Sequence, residues 1–128
     1  QGNLSVFDSA QRRTVWESKE SSFYEPFILR GVLGIISADS KISTYSSRTF
    51  EGSWKLDEYA LRELSNPETF KGYIIFGDLE GYIHAIDPLT GTTVARKKIS
   101  RNKIITLISR SDSFYAIDEK MRLFSLSF

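Results

Sequence analysis

The sequence predicts an all-β chain folded as part of a β-propeller, and the main reason is a repeated strand pattern. Four short segments resemble one another, and their first residues are Leu4, Ile42, Ile83 and Leu123. Successive segments begin 38, 41 and 40 residues apart, and Trp16, Trp54 and Ala95 each lie 12 residues after a segment's first residue. A period of about 40 residues filled with short strands is typical of propellers, which have about four strands per blade. A β-sandwich whose spacing is regular by chance is the alternative.

The best-defined unit of the repeat covers residues 73–98. Apolar or β-branched runs at 73–76, 82–86 and 92–98 predict three strands. The turns between them contain Gly81, which readily adopts positive φ, and Pro88, whose φ is fixed. Such a meander has no closed core, so it needs neighbours of the same kind.

Applied to the whole chain, the repeat predicts thirteen strands in four blades. The predicted blades cover residues 1–19, 20–56, 57–99 and 100–128, the last without its outer strand. We expect residues 32–37, 73–76 and 114–117 to be equivalent strands of successive blades. Because the sequence opens inside a repeat, we also expect a fragment whose incomplete end blades leave strand edges unpaired. Copies of such a fragment should associate through these edges, or the fragment should stay bound to the missing blades if these were cleaved and retained.

Composition narrows the possible functions. The chain has 128 residues, a formal net charge of +1 and no cysteine. The small net charge gives no reason to expect binding to nucleic acid or to a membrane surface. The lack of cysteine excludes disulfides, thiolate zinc ligands and a cysteine nucleophile. No apolar run reaches the roughly 18 residues of a membrane helix, and no signal peptide is recognisable.

A set of residues in the third repeat and just before it carries a resemblance to a known family. These residues are Trp54, Arg62, Leu64, Pro67, Gly72 and the run 77–83. In order and spacing they resemble the BamB family, the eight-bladed propeller lipoproteins of the bacterial β-barrel assembly machinery. The resemblance implies that the chain is the C-terminal part of a longer eight-bladed propeller. Ala95, where other repeats have tryptophan, and the degenerate turns of the last repeat depart from the pattern.

The resemblance also implies a function. A chain of this family is expected to be a non-catalytic scaffold without cofactor, metal or nucleic acid. It would bind the barrel-inserting subunit, unfolded outer-membrane protein clients or both, through propeller loops and strand edges. It would lie on the periplasmic face of the outer membrane, attached only through an N-terminal lipid absent from this fragment.

The alternative function is that of a quinoprotein-like dehydrogenase, because quinoprotein propellers share similar turns. Such an enzyme holds a quinone cofactor (PQQ) and calcium, and calcium needs oxygen ligands. Asp39, Asp78 and Asp87 are candidates by residue type, but each lies in a turn, where we expect Asx-turn hydrogen bonds instead. His84, the single histidine, lacks the partners of a metal site or a hydrolytic triad, so we expect a structural or surface role.

Two groups of residues are candidates for partner binding. The first is the longest crossing between blades, residues 57–66, with Tyr59, Leu61, Arg62 and Leu64, since tyrosine and arginine are favoured at interface hot spots. The alternative is that Leu61 and Leu64 simply cover the ends of neighbouring blades.

The second group is a basic run. Its members are Arg96, Lys97, Lys98, Arg101 and Lys103. These cations could bind an anionic partner, or they could protect the edge of an outer strand from pairing with another chain. Trp16 and Trp54 could stack on a ligand, but their equivalent repeat positions favour packing between blades.

Overall fold

The computed structural model describes residues 3–21 and 26–127, and every regular element in these ranges is a β-strand. The strands are β1 (Asn3–Asp8), β2 (Arg13–Ser21), β3 (Phe27–Leu29), β4 (Val32–Ile36), β5 (Ile42–Ser46), β6 (Gly52–Leu56), β7 (Glu68–Phe70), β8 (Tyr73–Gly77), β9 (Tyr82–Ile86), β10 (Thr93–Lys98), β11 (Ile104–Ser109), β12 (Phe114–Asp118) and β13 (Leu123–Leu126). The predicted all-β fold is confirmed. Within the two described ranges, no helix is long and apolar enough to cross a membrane.

The strands form antiparallel sheets in chain order. The described sheets contain β1–β2, β3–β6, β7–β10 and β11–β13, and each strand pairs with the next one in its sheet. Such four-stranded meanders are the blades of a propeller. β4, β8 and β12 are the second strands of their sheets, as predicted for residues 32–37, 73–76 and 114–117. The division between the first two predicted blades falls beside residues 22–25, which lie outside the described residues.

The turns have the same backbone geometry from sheet to sheet. Between the second and third strands, Ser40, Gly81 and Met121 have φ values of 67°, 88° and 65°. Gly81 is the most constrained of these positions, because its carbonyl accepts hydrogen bonds from the N–H groups of Ile99 and Ser100, at 2.9 and 3.3 Å. The chain that leaves β10 therefore packs directly on this turn.

Two apolar cores lie on opposite faces of the β7–β10 sheet. Side chains alternate along β9, so that Ile86 enters one core while Ile83 and Ala85 enter the other. The first core joins this sheet to the β3–β6 sheet, and its buried members are Phe27, Val32, Ile36, Ile42, Tyr59, Leu64, Ile74, Phe76 and Ile86. The second joins it to the β11–β13 sheet, and its buried members are Phe70, Ile75, Ile83, Ala85, Ile104, Leu107, Phe114 and Ala116. Each sheet thus depends on its neighbours for a buried face.

The two tryptophans pack between sheets, as their repeat positions predict. Trp16 stacks on Phe50 with ring centroids 5.4 Å apart, although the two residues belong to different sheets. The indole Nε1 of Trp54 donates a hydrogen bond to the Pro88 carbonyl at 2.7 Å. Gly91 lies so close to the Trp54 ring that an added Cβ would approach it to 2.6 Å. These contacts fix the fourth strand of one sheet to a turn of the next.

Two glycine substitutions test how tightly the turns are packed. Gly31 and Gly81 both have positive φ, but a Cβ on Gly31 would meet nothing within 4 Å, while one on Gly81 would lie 2.0 Å from the Ser100 carbonyl oxygen. We expect Gly31→Ala to lower the free energy of unfolding by about 1–2 kcal/mol, from backbone strain alone. Gly81→Ala should cost about 2 kcal/mol more, because the backbone has to shift. Urea unfolding measures both, and equal losses would contradict the packing of residues 99–100 on this turn.

Candidate protein-docking surface

The predicted partner-binding segment, residues 57–66, connects β6 to β7 and is called the crossing segment here. It contains two successive turns, each closed by a backbone hydrogen bond of 3.0 Å. In the first, the Ala60 N–H donates to the Asp57 carbonyl, and in the second, the Arg62 N–H donates to the Tyr59 carbonyl. One more of its groups is held by a neighbouring turn. The Leu64 N–H donates to Ser40 Oγ at 3.1 Å. The crossing segment is therefore a structured part of the fold.

The structure corrects the surface prediction for two of the four candidate residues. Tyr59 and Leu64 are only 3% and 2% exposed, and both belong to the first apolar core. The Tyr59 ring meets the His84 ring edge-on with centroids 4.8 Å apart, and its hydroxyl shares a hydrogen bond with Thr93 Oγ1. Burial raises the pKa of the Tyr59 hydroxyl. The alternative prediction, that leucine covers the ends of neighbouring blades, describes Leu64 but not Leu61.

Arg62 ties the crossing segment to the turn after β8. Its Nε and Nη2 lie 2.8 and 2.7 Å from Asp78 Oδ2, and Nη2 also lies 3.0 Å from Glu80 Oε1. Asp78 is fully buried, while Glu80 is exposed. The guanidinium therefore pairs with the buried carboxylate of Asp78 on its inner side and with the exposed carboxylate of Glu80 on its outer side.

The Asp78 carboxylate is the centre of a buried polar network. Its Oδ1 accepts the N–H groups of Glu80 and Tyr82 at 2.9 and 3.1 Å, which is the expected Asx-turn role. Its Oδ2 is 2.7 Å from His84 Nε2, in addition to the contacts with Arg62. Burial opposes ionisation of Asp78, but the hydrogen bonds from His84, Arg62 and the backbone outweigh it and lower its pKa to about 2. His84 is thus a buried structural residue, one of the two predicted roles.

The last described sheet repeats this network around Asp118, which the sequence analysis did not single out. Asp118 Oδ1 accepts the N–H groups of Lys120 and Arg122, both at 3.0 Å. Its Oδ2 accepts hydrogen bonds from Ser100 Oγ at 2.7 Å and from Arg122 Nε at 3.0 Å. The 40-residue spacing between Asp78 and Asp118 was the signal that could have identified it. A network that recurs in consecutive sheets is part of the fold and not a reaction centre.

Leu61 is the one apolar candidate that the crossing segment presents to solvent. Its side chain is 78% exposed, and its backbone has φ of 64°, a conformation that non-glycine residues rarely adopt. Hydrogen bonds hold it there: the Leu61 N–H donates to the Asp39 carbonyl, and the next carbonyl, that of Arg62, accepts the Leu79 N–H, both at 2.9 Å. Strain of this kind persists only where the surrounding structure over-determines it.

Other exposed side chains surround Leu61 and define what we call the crossing surface. Leu79 is partly exposed, and Glu63 forms an ion pair with Lys103 at 2.8 Å. The members of the crossing surface are Leu61, Arg62, Glu63, Leu79 and Glu80. An exposed apolar residue with charged neighbours is a common composition for a protein-docking site.

The basic run does not form one patch. Arg96, Lys97 and Lys98 lie on β10, the edge strand of its sheet, as the edge-protection alternative requires. Arg96 is paired across the sheet with His84 and Lys97 with Ile83, so the two side chains leave opposite faces. Arg101 lies beyond the strand and is exposed, while Lys103 is paired with Glu63. Binding of an anionic partner by this run stays a prediction.

The three aspartates considered as calcium ligands occupy separate turns. Asp87 accepts the Leu89 N–H at 2.8 Å, which is an Asx turn as predicted. Asp39 differs, because it accepts the Ser37 hydroxyl and lies 3.6 Å from Lys41 Nζ. In residues 3–21 and 26–127, no three histidine, aspartate or glutamate side chains group as a metal site requires.

Fold and contacts define a β-propeller segment whose buried polar side chains are used in turns and in contacts between sheets. Over 77% of its length, the chain is 33% identical to the outer membrane protein assembly factor BamB of Marinobacter adhaerens, and over 82% it is 32% identical to that of Shewanella oneidensis. The solved structure of BamB from Moraxella catarrhalis superposes on 99% of the chain with a TM-score of 0.88 and 25% identity. No protein-family model matches. The predicted resemblance to the BamB family is thus confirmed in sequence and in fold.

The matches cover the chain far better than they cover the relatives. The chain spans about a quarter of the length of the curated relatives, 25% and 27% for the two named above, and 38% of the Moraxella structure. These relatives are named as assembly factors and not as enzymes, which agrees with the prediction of a non-catalytic protein.

The buried network predicts an acid-sensitive contribution to stability. We expect Asp78→Asn to lower the free energy of unfolding by about 3 kcal/mol at neutral pH, because Arg62 and His84 lose a buried charged partner. The folded-state pKa of Asp78 lies below its ordinary 3.8, at about 2. The stabilisation is therefore complete above about pH 4 and is lost as the pH falls toward 2.

The measurement is chemical unfolding of the wild type and the variant between neutral pH and pH ~2. The difference between the two proteins should shrink in that acid range. Asp87→Asn is the matched control, because Asp87 accepts one backbone hydrogen bond in an Asx turn and should cost no more than about 1 kcal/mol. A constant difference at all pH values would contradict the role assigned to Asp78.

Proposed function

We propose that the chain contributes to a non-catalytic scaffold for outer-membrane protein assembly. The proposed partners are the barrel-inserting subunit of the assembly machinery, unfolded outer-membrane protein clients or both. The proposed location is the periplasmic face of the outer membrane, with a lipid anchor carried by a part of the protein outside this sequence. The support is the likeness to relatives named outer membrane protein assembly factor BamB.

The observation that carries a docking role is the rigid exposure of Leu61. A partner that buries this side chain gains the hydrophobic contribution of a leucine, about 1.5–3 kcal/mol. Little ordering entropy is lost on binding, because hydrogen bonds to the carbonyls of Asp39 and Tyr59 and from the N–H of Leu79 already hold the backbone in place. Arg62 and Glu80 lie beside it and supply the polar rim that interfaces commonly have.

Strand edges offer a second mode of binding for an extended client. β13 is the third strand of its described sheet, and its other edge has no partner strand among the described residues. Leu123 on this strand is 63% exposed. An extended peptide can add to such an edge through main-chain hydrogen bonds.

The substitution Leu61→Gly should weaken docking without changing the stability of the fold. Leu61→Gly removes the apolar side chain and relieves the left-handed strain of about 1–2 kcal/mol, which roughly offsets the added flexibility of glycine in the unfolded chain. We therefore expect unchanged stability but at least about tenfold weaker binding of the full-length protein to the periplasmic part of the barrel-inserting subunit. Calorimetry or surface plasmon resonance measures the affinity, and thermal unfolding measures the stability.

Met121→Gly is the matched control for this experiment. Met121 has nearly the same backbone, with φ of 65°, and is 73% exposed, but it lies in the turn between β12 and β13. The Met121→Gly variant should bind the barrel-inserting subunit with unchanged affinity. If Leu61→Gly binds like the wild type, or if both variants lose affinity equally, Leu61 is not the docking anchor.

The open edge of β13 predicts self-association of the 128-residue chain. Light scattering after size exclusion should give a mass above the 14.6 kDa of one copy, and the excess should increase with concentration. A monomer at every concentration would contradict the exposed-edge proposal without affecting the docking role of Leu61.

A further inference from the structure

A small cavity lies between the crossing segment and the outer half of the β7–β10 sheet. Its volume is about 160 Å³, and its walls are formed by Glu58, Tyr59, Arg62, His84, Thr93 and Arg96. These residues come from the crossing segment and from adjacent positions of β9 and β10, since Arg96 is paired with His84. The cavity lies on the inner side of the crossing segment, and the exposed Leu61 does not line it.

One wall of this cavity holds a buried polar atom without a partner. His84 is 1% exposed, and its Nδ1 has no hydrogen-bond partner among the described residues. Its other nitrogen, Nε2, is 2.7 Å from the Asp78 carboxylate, which can only accept a hydrogen bond. In the neutral form of the ring the proton therefore lies on Nε2, and Nδ1 presents a lone pair. Buried acceptors of this kind are normally satisfied, and a donor on a molecule in the cavity that His84 lines would satisfy this one.

The same cavity has cationic walls. Arg96 forms no ion pair among the described residues, and its guanidinium lies 4.4 Å from the centroid of the Tyr82 ring, which orients it. Arg62 contributes a second guanidinium, although Asp78 and Glu80 occupy part of it. Glu58 is the one carboxylate in the wall. Its charge opposes every anion, so an occupant has to be held by the two guanidinium groups and has to supply the donor that Nδ1 lacks.

We propose that this cavity binds a small oxyanion that keeps one hydroxyl group, of which hydrogen phosphate is the simplest. Its charged oxygens accept hydrogen bonds from Arg96 and Arg62, a geometry that suits guanidinium groups. Its remaining O–H donates to His84 Nδ1. The cavity is large enough for such an ion, and the hydroxyl pair of Tyr59 and Thr93 adds further polar atoms to the wall.

Sulfate provides a sharp comparison, because it resembles hydrogen phosphate in shape but has no O–H. At about pH 8 both are dianions, so general electrostatic attraction is the same for the two. The proposed site should bind phosphate about tenfold more tightly than sulfate, since sulfate leaves Nδ1 without a donor. His84 is the single histidine of the chain, so its ring nitrogens give an unambiguous nitrogen-15 NMR signal.

The experiment titrates the 128-residue chain with inorganic phosphate and, separately, with sulfate at about pH 8. Phosphate should shift the Nδ1 resonance of His84 to that of a hydrogen-bonded acceptor, while sulfate should leave it in place. Arg96→Gln should weaken phosphate binding about tenfold. Lys97→Gln is the matched control, because it removes the same charge from the next position of β10, and Lys97 does not line this cavity. It should change the affinity less than about twofold.

Three outcomes would overturn the proposal. Equal shifts with phosphate and sulfate would show an adventitious ion only. Equal losses in Arg96→Gln and Lys97→Gln would show a general charge effect without a built site. No shift of the Nδ1 resonance with phosphate would show that phosphate does not bind at this nitrogen. None of these results bears on the docking of a protein partner through Leu61, whose test uses a different surface and a different readout.

Discussion

The buried carboxylate of Asp78 connects parts of the molecule that are far apart in the sequence. It holds the turn after β8 through the N–H groups of Glu80 and Tyr82, the crossing segment through Arg62, and the sheet interior through His84. A charge at this depth is tolerated only because each oxygen accepts several hydrogen bonds. If the carboxylate were absent, a partly buried guanidinium and a buried imidazole would both lose their partner. The position of the crossing segment therefore depends on this group.

This attachment explains why an apolar side chain can stay exposed in a strained conformation. Tyr59 and Leu64 are buried on either side of Leu61, and both are hydrogen-bonded to neighbouring elements, Tyr59 to Thr93 on β10 and Leu64 to Ser40 in the turn before β5. The backbone between these anchors has little freedom to rotate Leu61 into the core. Burial of Tyr59 and Leu64 thus causes the exposure of Leu61. The segment loses its conformational entropy during folding, so a partner that binds Leu61 does not have to order it.

The β7–β10 sheet carries most of the features with functional meaning because it is covered on both faces. One face packs on the β3–β6 sheet and the other on the β11–β13 sheet. The side chains of β9 and β10 are consequently held in fixed positions, and His84 and Arg96 line the same cavity from adjacent strands. A precise polar site needs this kind of support from surrounding packing. The edge sheets have less of it, and one side of β13 has no partner strand in the described parts of the chain.

The sequence by itself determined the strands, the turns and their period. The alternation of apolar and polar side chains and the residue types of turns are local properties of the sequence. Gly81 and Gly91 therefore indicate turns, and Trp16 and Trp54 indicate equivalent strands, without any knowledge of the tertiary contacts. The resemblance to the BamB family follows from the same residues. The Asx turns at Asp78 and Asp87 were likewise predictable, because they join residues two positions apart.

Only the tertiary structure decided which side chains are buried and which polar groups meet. Tyr59 and Leu64 have interface-like residue types, yet adjacent sheets cover them. The contacts of Asp78 with Arg62 and Tyr59 with Thr93 span 16 and 34 residues, and no local pattern specifies such pairs. The unpartnered Nδ1 of His84 is likewise invisible in the sequence. Burial and hydrogen bonds between distant segments form only when the sheets pack against one another, so the residue pattern of one repeat does not specify them.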